Sequence, residues 1–220
     1  MSVAAIVAFW AWVIVRYVRA PDATDVPGSV RDLALSTAAL AVAITLLVRL
    51  LLDPAERFAD LGLDRDALRR GWKPGLLVAV GLFVLFTFVL TPALGTLGLR
   101  RREDVLNAWF SDPLDAGWWL IAAVVGGGYR EELLRAFVLT RCERVAGVAG
   151  LVVALLVYSV VFGLSHSYQG PRGIVSACLT GFVFGLIYVR RRNLAEVMVA
   201  HAAFDILGVT AGYLLHARPG

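Results

Sequence analysis

With 220 residues, 59% of them hydrophobic and only 17% charged, the chain has a mean hydropathy of +0.75. A water-soluble globule of this size would expose far too much apolar surface, so the composition excludes that class and points to a polytopic α-helical membrane protein. The net charge of +4 comes from twenty arginines and one lysine placed at the ends of apolar runs, where they read as interface anchors, and nucleic acid is not an expected partner.

Seven apolar runs are long enough to cross a hydrocarbon core about 30 Å thick. They lie near residues 2–19, 31–52, 75–95, 117–140, 147–166, 172–189 and 194–215. None alternates as barrel strands do, so the expected fold is all-α, a bundle of about seven transmembrane helices forming one domain over 1–220. Such a chain is expected to be a multi-pass protein of the cell membrane with lipid around it. Met1 to Ala8 has no positive segment and the first run continues to Val18, so a cleavable signal is not expected. Arginines and lysine counted by alternate sides place the N-terminus, with the loops after the second, fourth and sixth runs, on the cytoplasmic side.

Between the second and third runs, DPAERFADLGLDRDALRRGWKP spaces Leu61, Leu63, Leu68 and Trp72 among charges and ends at a proline. It is read as a short amphipathic helix on the membrane surface or as a solvated loop. The segment 99–115 carries Trp109 and Phe110 and is expected to fold back onto the interface. Cys142 and Cys178 fit neither a metal spacing nor a disulfide framework.

The fourth run is different, because Arg130, Glu131, Glu132 and Arg135 stand inside it. Each charge costs about 2.5–3.5 kcal/mol at the centre of a spanning helix, so four cost roughly 10 kcal/mol before pairing. Arg135 is within helical reach of Glu131 at four residues and of Glu132 at three. Two carboxylates facing one arginine leave one acid without a full partner, and that acid is the expected working group. Gly126, Gly127 and Gly128 precede the cluster and admit a kink or a close backbone approach.

Two of the three histidines also fall in or at the end of spans. Phe162 and His166 are four apart at the end of the fifth run, and His201 and Asp205 lie one helical turn apart in the seventh. Ionisable residues on three spans are expected to converge on one polar cavity. The GxxxG pairs Gly181/Gly185 and Gly208/Gly212 are packing features. Two chemistries suit the polar set. A desolvated glutamate takes a proton from water that attacks a peptide carbonyl, with histidines holding the oxyanion and protonating the leaving amine; no cofactor is then needed. Alternatively His166, His201 and Asp205 bind Zn2+, with Glu131 acting on metal-bound water.

These motifs resemble those of the CPBP family of intramembrane proteases, also called type II CAAX prenyl endopeptidase-like or Abi proteins, whose eukaryotic member is the Ras-converting enzyme. The family has paired glutamates followed by arginine, then FxxxH, then HxxxN or HxxxD. Here these correspond to Glu131, Glu132 and Arg135, then Phe162 and His166, then His201 and Asp205. The resemblance covers roughly Trp118 to Leu215, with a protease-like core at 117–215. It implies a membrane endopeptidase acting on a peptide or protein substrate, in which Glu131 and His166 activate water and the last pair helps hold the oxyanion. One departure matters. The family usually has three residues between the glutamate pair and the arginine, whereas Leu133 and Leu134 are only two. Pairing of Arg135 with Glu131 would oppose use of that acid as a base. The expectation is therefore that Arg135 pairs with Glu132; a local bulge or exchanged roles are the alternatives.

At 1.5 Å per residue, Glu131 is about 15 Å from a helix end near Arg141, while His166 is about 28 Å from the same side, a gap that tilt or a later helix start must close. Two other readings stand beside the peptidase: a non-catalytic immunity or interaction protein on the same scaffold, and a small proton-coupled transporter, the latter weakened by the absence of clear repeats.

Overall fold

Ser29 opens the first helix by accepting from the Asp32 amide at 3.1 Å, and Asp64 caps the second by accepting from Ala67 at 2.7 Å. The computed structural model describes residues 29–102 and 113–216. The expected run 2–19 and residues 103–112, with Trp109 and Phe110, lie outside them. The described helices are α1 (Val30–Leu51), α2 (Arg65–Leu85), α3 (Thr91–Thr96), α4 (Pro113–Ala122), α5 (Glu132–Leu164), α6 (Gly170–Arg191) and α7 (Leu194–His216). A π-helical stretch, Phe86–Leu90, joins α2 to α3, and another, Ala123–Glu131, joins α4 to α5.

The described residues thus form an all-α bundle, and the count of long apolar helices among them differs from seven. Five stretches among the described residues are long and apolar enough to cross a membrane: Val30–Leu51, Phe58–Thr96, Leu114–Leu164, Ser167–Arg191 and Leu194–Leu214. The expected runs 117–140 and 147–166 fall in one of these, because no loop residues separate them. The chain nevertheless turns back inside it. Ala146 (φ −129°, ψ 16°) and Gly147 (φ 61°, ψ −152°) leave the helical region, and the Tyr158 hydroxyl donates to the Glu131 carbonyl at 3.2 Å across 27 residues. A straight helix would hold those two about 40 Å apart. So α5 is two arms folded on each other at Ala146 and Gly147.

That turn also narrows the depth gap. The first arm runs on to Val145 instead of ending near Arg141, which puts Glu131 about 21 Å from the turn and His166 about 28 Å from it along the second arm.

The expected surface helix is corrected as well. After a single 3-10 turn, Phe58–Leu61, residues from Arg65 onward are the opening turns of α2, and Pro74 lies within it without ending it. Packing decides this. Gly71 and Gly75 bring α2 against α7 so closely that a Cβ on either would meet Glu196, at 2.8 Å and 2.7 Å. Of the GxxxG glycines, Gly181 and Gly185 do face a neighbour, the Phe162 ring and the Leu155, Leu139 and Arg135 side chains, whereas Gly208 meets nothing within 4 Å.

One end of the bundle is tied by ions. Glu56, after α1, pairs with Arg141 and Arg144 of α5, and Arg192, after α6, holds Glu143 through two bonds of 2.7 Å. The Gly62 carbonyl accepts from the Ala195 amide at 3.0 Å. The loops after the second, fourth and sixth expected runs therefore share one face. At the other end, residues 100–102 pair with 169–172, the Arg100 carbonyl accepting from Arg172 and the Gln169 carbonyl from Arg102, each at 3.2 Å. Between these ends the core is apolar, with Leu133, Leu139, Phe184, Leu194 and Val197 sealed, while Leu46, Leu50, Leu77 and Phe88 point outward as lipid-facing residues do.

The Gly147 conformation is one that only glycine adopts readily. Gly147→Ala is expected to cost about 1–3 kcal/mol. Denaturant titration in detergent micelles checks it, and an unchanged midpoint would mean the turn carries no strain for a side chain.

Candidate active site

Three consecutive glycines set the position of the charged cluster. In the π-helical stretch Ala123–Glu131, a Cβ on Gly126 would meet Thr37 of α1, one on Gly127 would collide with the Asp205 carboxylate and come within 3.2 Å of His201 Nε2, and one on Gly128 would meet Ala202. Absence of side chains lets this stretch wedge between α1 and α7 with its backbone against His201 and Asp205. Thr45 of α1 steadies it through a 2.8 Å hydrogen bond with the Tyr129 hydroxyl.

The wider π turn ends at Glu131, and the two adjacent glutamates then diverge in surroundings. Glu132 is sealed, with its side chain 1% exposed, as is that of Arg135, with which it forms an ion pair. Arg135 thus takes Glu132 at three-residue spacing, as expected. The guanidinium carbon also sits 4.9 Å from the Phe162 ring centroid, 5.3 Å from Tyr158 and 5.9 Å from Phe184. One carboxylate and three aromatic faces replace water around this buried cation. His201 Nδ1 lies 2.5 Å from Glu132 Oε1, so Glu132 joins the arginine to the imidazole. The Nδ1–H donates, which leaves Nε2 as the outward nitrogen.

Glu131 is only partly covered, 19% exposed, and it is not partnerless as the sequence reading had it. Arg130 Nη2 donates to its Oε1 at 2.5 Å. Its Oε2 lies 4.0 Å from His201 Nε2, and Asp205 Oδ2 lies 3.5 Å from the same nitrogen. His166 stacks on Phe162 at 4.7 Å between centroids, its Nδ1 2.8 Å from the Phe162 carbonyl, within electrostatic reach of Glu131, His201 and Arg130. All six expected residues, Glu131, Glu132, Arg135, His166, His201 and Asp205, thus gather in one region where α5, α7 and the π-helical stretch meet.

Their arrangement does not fit the expected zinc set. Among the described residues no group of three His, Cys, Asp or Glu side chains is placed to hold a metal ion. The Nδ1 atoms of His166 and His201 face the Phe162 carbonyl and Glu132, which leaves their Nε2 atoms as the outward nitrogens.

Three contributors escaped the sequence reading. Tyr158 lies four residues before Phe162 and eight before His166, so helical periodicity puts all three on one face of the second arm, a signal present in the sequence. Phe184 packs 4.8 Å from His201, and nothing in its sequence surroundings beyond the flanking Gly181 and Gly185 marks it. Arg130 was visible as a charge, but an i, i+1 pair is not expected to close on a regular helix.

Residues 113–207 match a family model described as type II CAAX prenyl endopeptidase Rce1-like. That segment runs from the start of α4 into α7 and contains every residue named in the cluster except those of α1. No curated protein and no solved structure matches the chain.

Removing one member of the sealed pair strands the other. Arg135→Met is expected to cost about 3–5 kcal/mol, since it leaves Glu132 as a buried charge, and Arg135→Met with Glu132→Leu is expected to cost clearly less than the two singles summed. A double-mutant cycle read by unfolding in micelles checks this. Strictly additive costs would mean the two side chains are energetically independent.

Proposed function

We propose that the protein belongs to the CAAX-type intramembrane proteases and hydrolyses a peptide bond within or beside the bilayer with water activated by side chains alone. The observation that carries this reading is the meeting of a partly exposed carboxylate, Glu131, with the outward Nε2 of His201 at 4.0 Å, beside His166 and inside an apolar bundle. Water is scarce there, so each polar group has large leverage on a developing charge.

In the proposed reaction Glu131, oriented with His166, removes a proton from a water molecule, whose oxygen bonds to the carbonyl carbon of the scissile peptide. The carbonyl π electrons move onto oxygen, giving a tetrahedral oxyanion. His201, when doubly protonated, keeps Nδ1–H on Glu132 and presents Nε2–H to that oxyanion. Collapse re-forms the carbonyl and breaks the C–N bond, and the proton held by Glu131 passes to the departing amine. Glu132 and Arg135 do not touch substrate; they hold His201 in orientation. Asp205, 3.5 Å from Nε2, is an acceptor for the same hydrogen when no oxyanion is present.

The alternative of a non-catalytic binding protein is favoured by an arginine on Glu131; in the fold Arg135 lies on Glu132, and the arginine on Glu131 is Arg130, at the partly exposed side. The full-length protein, purified and returned to lipid, is expected to cleave members of an apolar peptide library. Glu131→Gln and His166→Ala are each expected to lower the rate by about 100-fold or more, the usual share of a general base. Mass spectrometry of the products reads it, and cleavage undiminished in both variants would remove this site from the reaction.

A further inference from the structure

The bundle contains two arginine–glutamate pairs of the same chemistry within six residues, and they differ in access. Arg135 and Glu132 are 1% exposed each, whereas Arg130 and Glu131 are 21% and 19% exposed at the open side of the cluster. The sealed pair is structural in its surroundings, with the ring centroids of Tyr158, Phe162 and Phe184 between 4.9 Å and 5.9 Å from the guanidinium carbon. The open pair has no such casing. It also joins sequence neighbours, whose side chains point about 100° apart on an α-helix and do not face one another. They close at 2.5 Å here because the π-helical stretch Ala123–Glu131 ends on them.

An open ion pair at this depth has a defined route to exchange. Pulling Glu131 from Arg130 with nothing in return leaves two bare charges in an apolar site, which is strongly unfavourable. Replacing one carboxylate by another keeps Arg130 paired, since a guanidinium donates to any carboxylate, and leaves a single unpaired charge, that of Glu131, which is then relieved by taking a proton. A carboxylate tied to a cation is also a poorer proton acceptor than a free one.

Resting on the protease reading above, we propose that Arg130 is a specificity-determining residue that binds a carboxylate of the peptide substrate, and that this exchange releases Glu131 to act on water. The substrate is then a peptide with an anionic carboxylate near the scissile bond, supplied either by its own C-terminus or by an Asp or Glu side chain. A peptide without one leaves Glu131 latched.

Three apolar peptide libraries separate the possibilities: one with free C-terminal acids and no Asp or Glu, one amidated with no Asp or Glu, and one amidated with a single Asp or Glu. The full-length protein in lipid is expected to cleave the first or the third at least tenfold faster than the second, and which of the two is faster identifies the source of the carboxylate. Arg130→Gln is expected to erase that preference and to cleave the neutral library faster than wild type, because its Glu131 is no longer held; Arg130→Lys is expected to keep part of the preference. A merely structural arginine gives a different result, an equal loss on all three libraries, and that result overturns the proposal. Retention of the same libraries on immobilised protein adds a readout that needs no turnover. If nothing is cleaved by wild type, the protease reading fails, while preferential retention of acid-bearing peptides by Glu131→Gln, abolished by Arg130→Gln, still decides the role of Arg130. Equal retention of all three libraries overturns it.

Discussion

The ion pair between Glu132 and Arg135 is the constraint from which the remainder of the bundle's interior follows. Both side chains are sealed, so neither can turn to water. The surroundings must therefore supply what solvent would, and they do so with the rings of Tyr158, Phe162 and Phe184 around the guanidinium and the imidazole of His201 against the carboxylate. Those partners come from the second arm of α5, from α6 and from α7. One pair of charges on the first arm thus fixes the placement of three other segments, and a charge left unmatched at that depth would be worth more than any single apolar contact nearby.

Around that fixed point the backbone makes the second accommodation. Gly126, Gly127 and Gly128 let the π-helical stretch approach α1 and α7 at distances no side chain would allow, and the widened turn delivers Arg130 and Glu131 to the partly open side while Glu132 is turned inward. Adjacent residues with the same chemistry thus acquire different surroundings: Glu132 meets the His201 imidazole, and Glu131 stays partly exposed beside Arg130. The pattern is one of a rigid buried scaffold behind an exchangeable outer layer.

Much of this was legible in the sequence. Hydropathy gave the helices from 31 onward, because a membrane solvent leaves the backbone few alternatives, and helical spacing brought Phe162 under His166 and His201 beside Asp205. The three-residue reach from Glu132 to Arg135 was also readable, since both are on one helix. Other features were not local. The turn at Ala146 and Gly147 does fall where the sequence separates the runs 117–140 and 147–166, just after Arg141, Glu143 and Arg144, but the run of α2 through Pro74 depends on packing against Glu196 that no window of sequence contains. Arg130 was given no partner for a geometric reason: its pairing with Glu131 occurs at the end of a stretch that winds as a π-helix. The expected zinc set is not drawn together among the described residues, because residue type alone does not say how three side chains will be turned.

The reversal at Ala146 and Gly147 bears on how the chain enters its membrane during synthesis. The π-helical stretch and the first arm together carry Arg130, Glu131, Glu132 and Arg135 among apolar residues and are poor candidates to partition into lipid by themselves, yet the Tyr158 and Phe162 rings that shelter Arg135 emerge only after the reversal, on the arm that follows at once. The burden of the leading half is relieved by its trailing one, so the two arms enter lipid at lower cost as a single hairpin than one after the other.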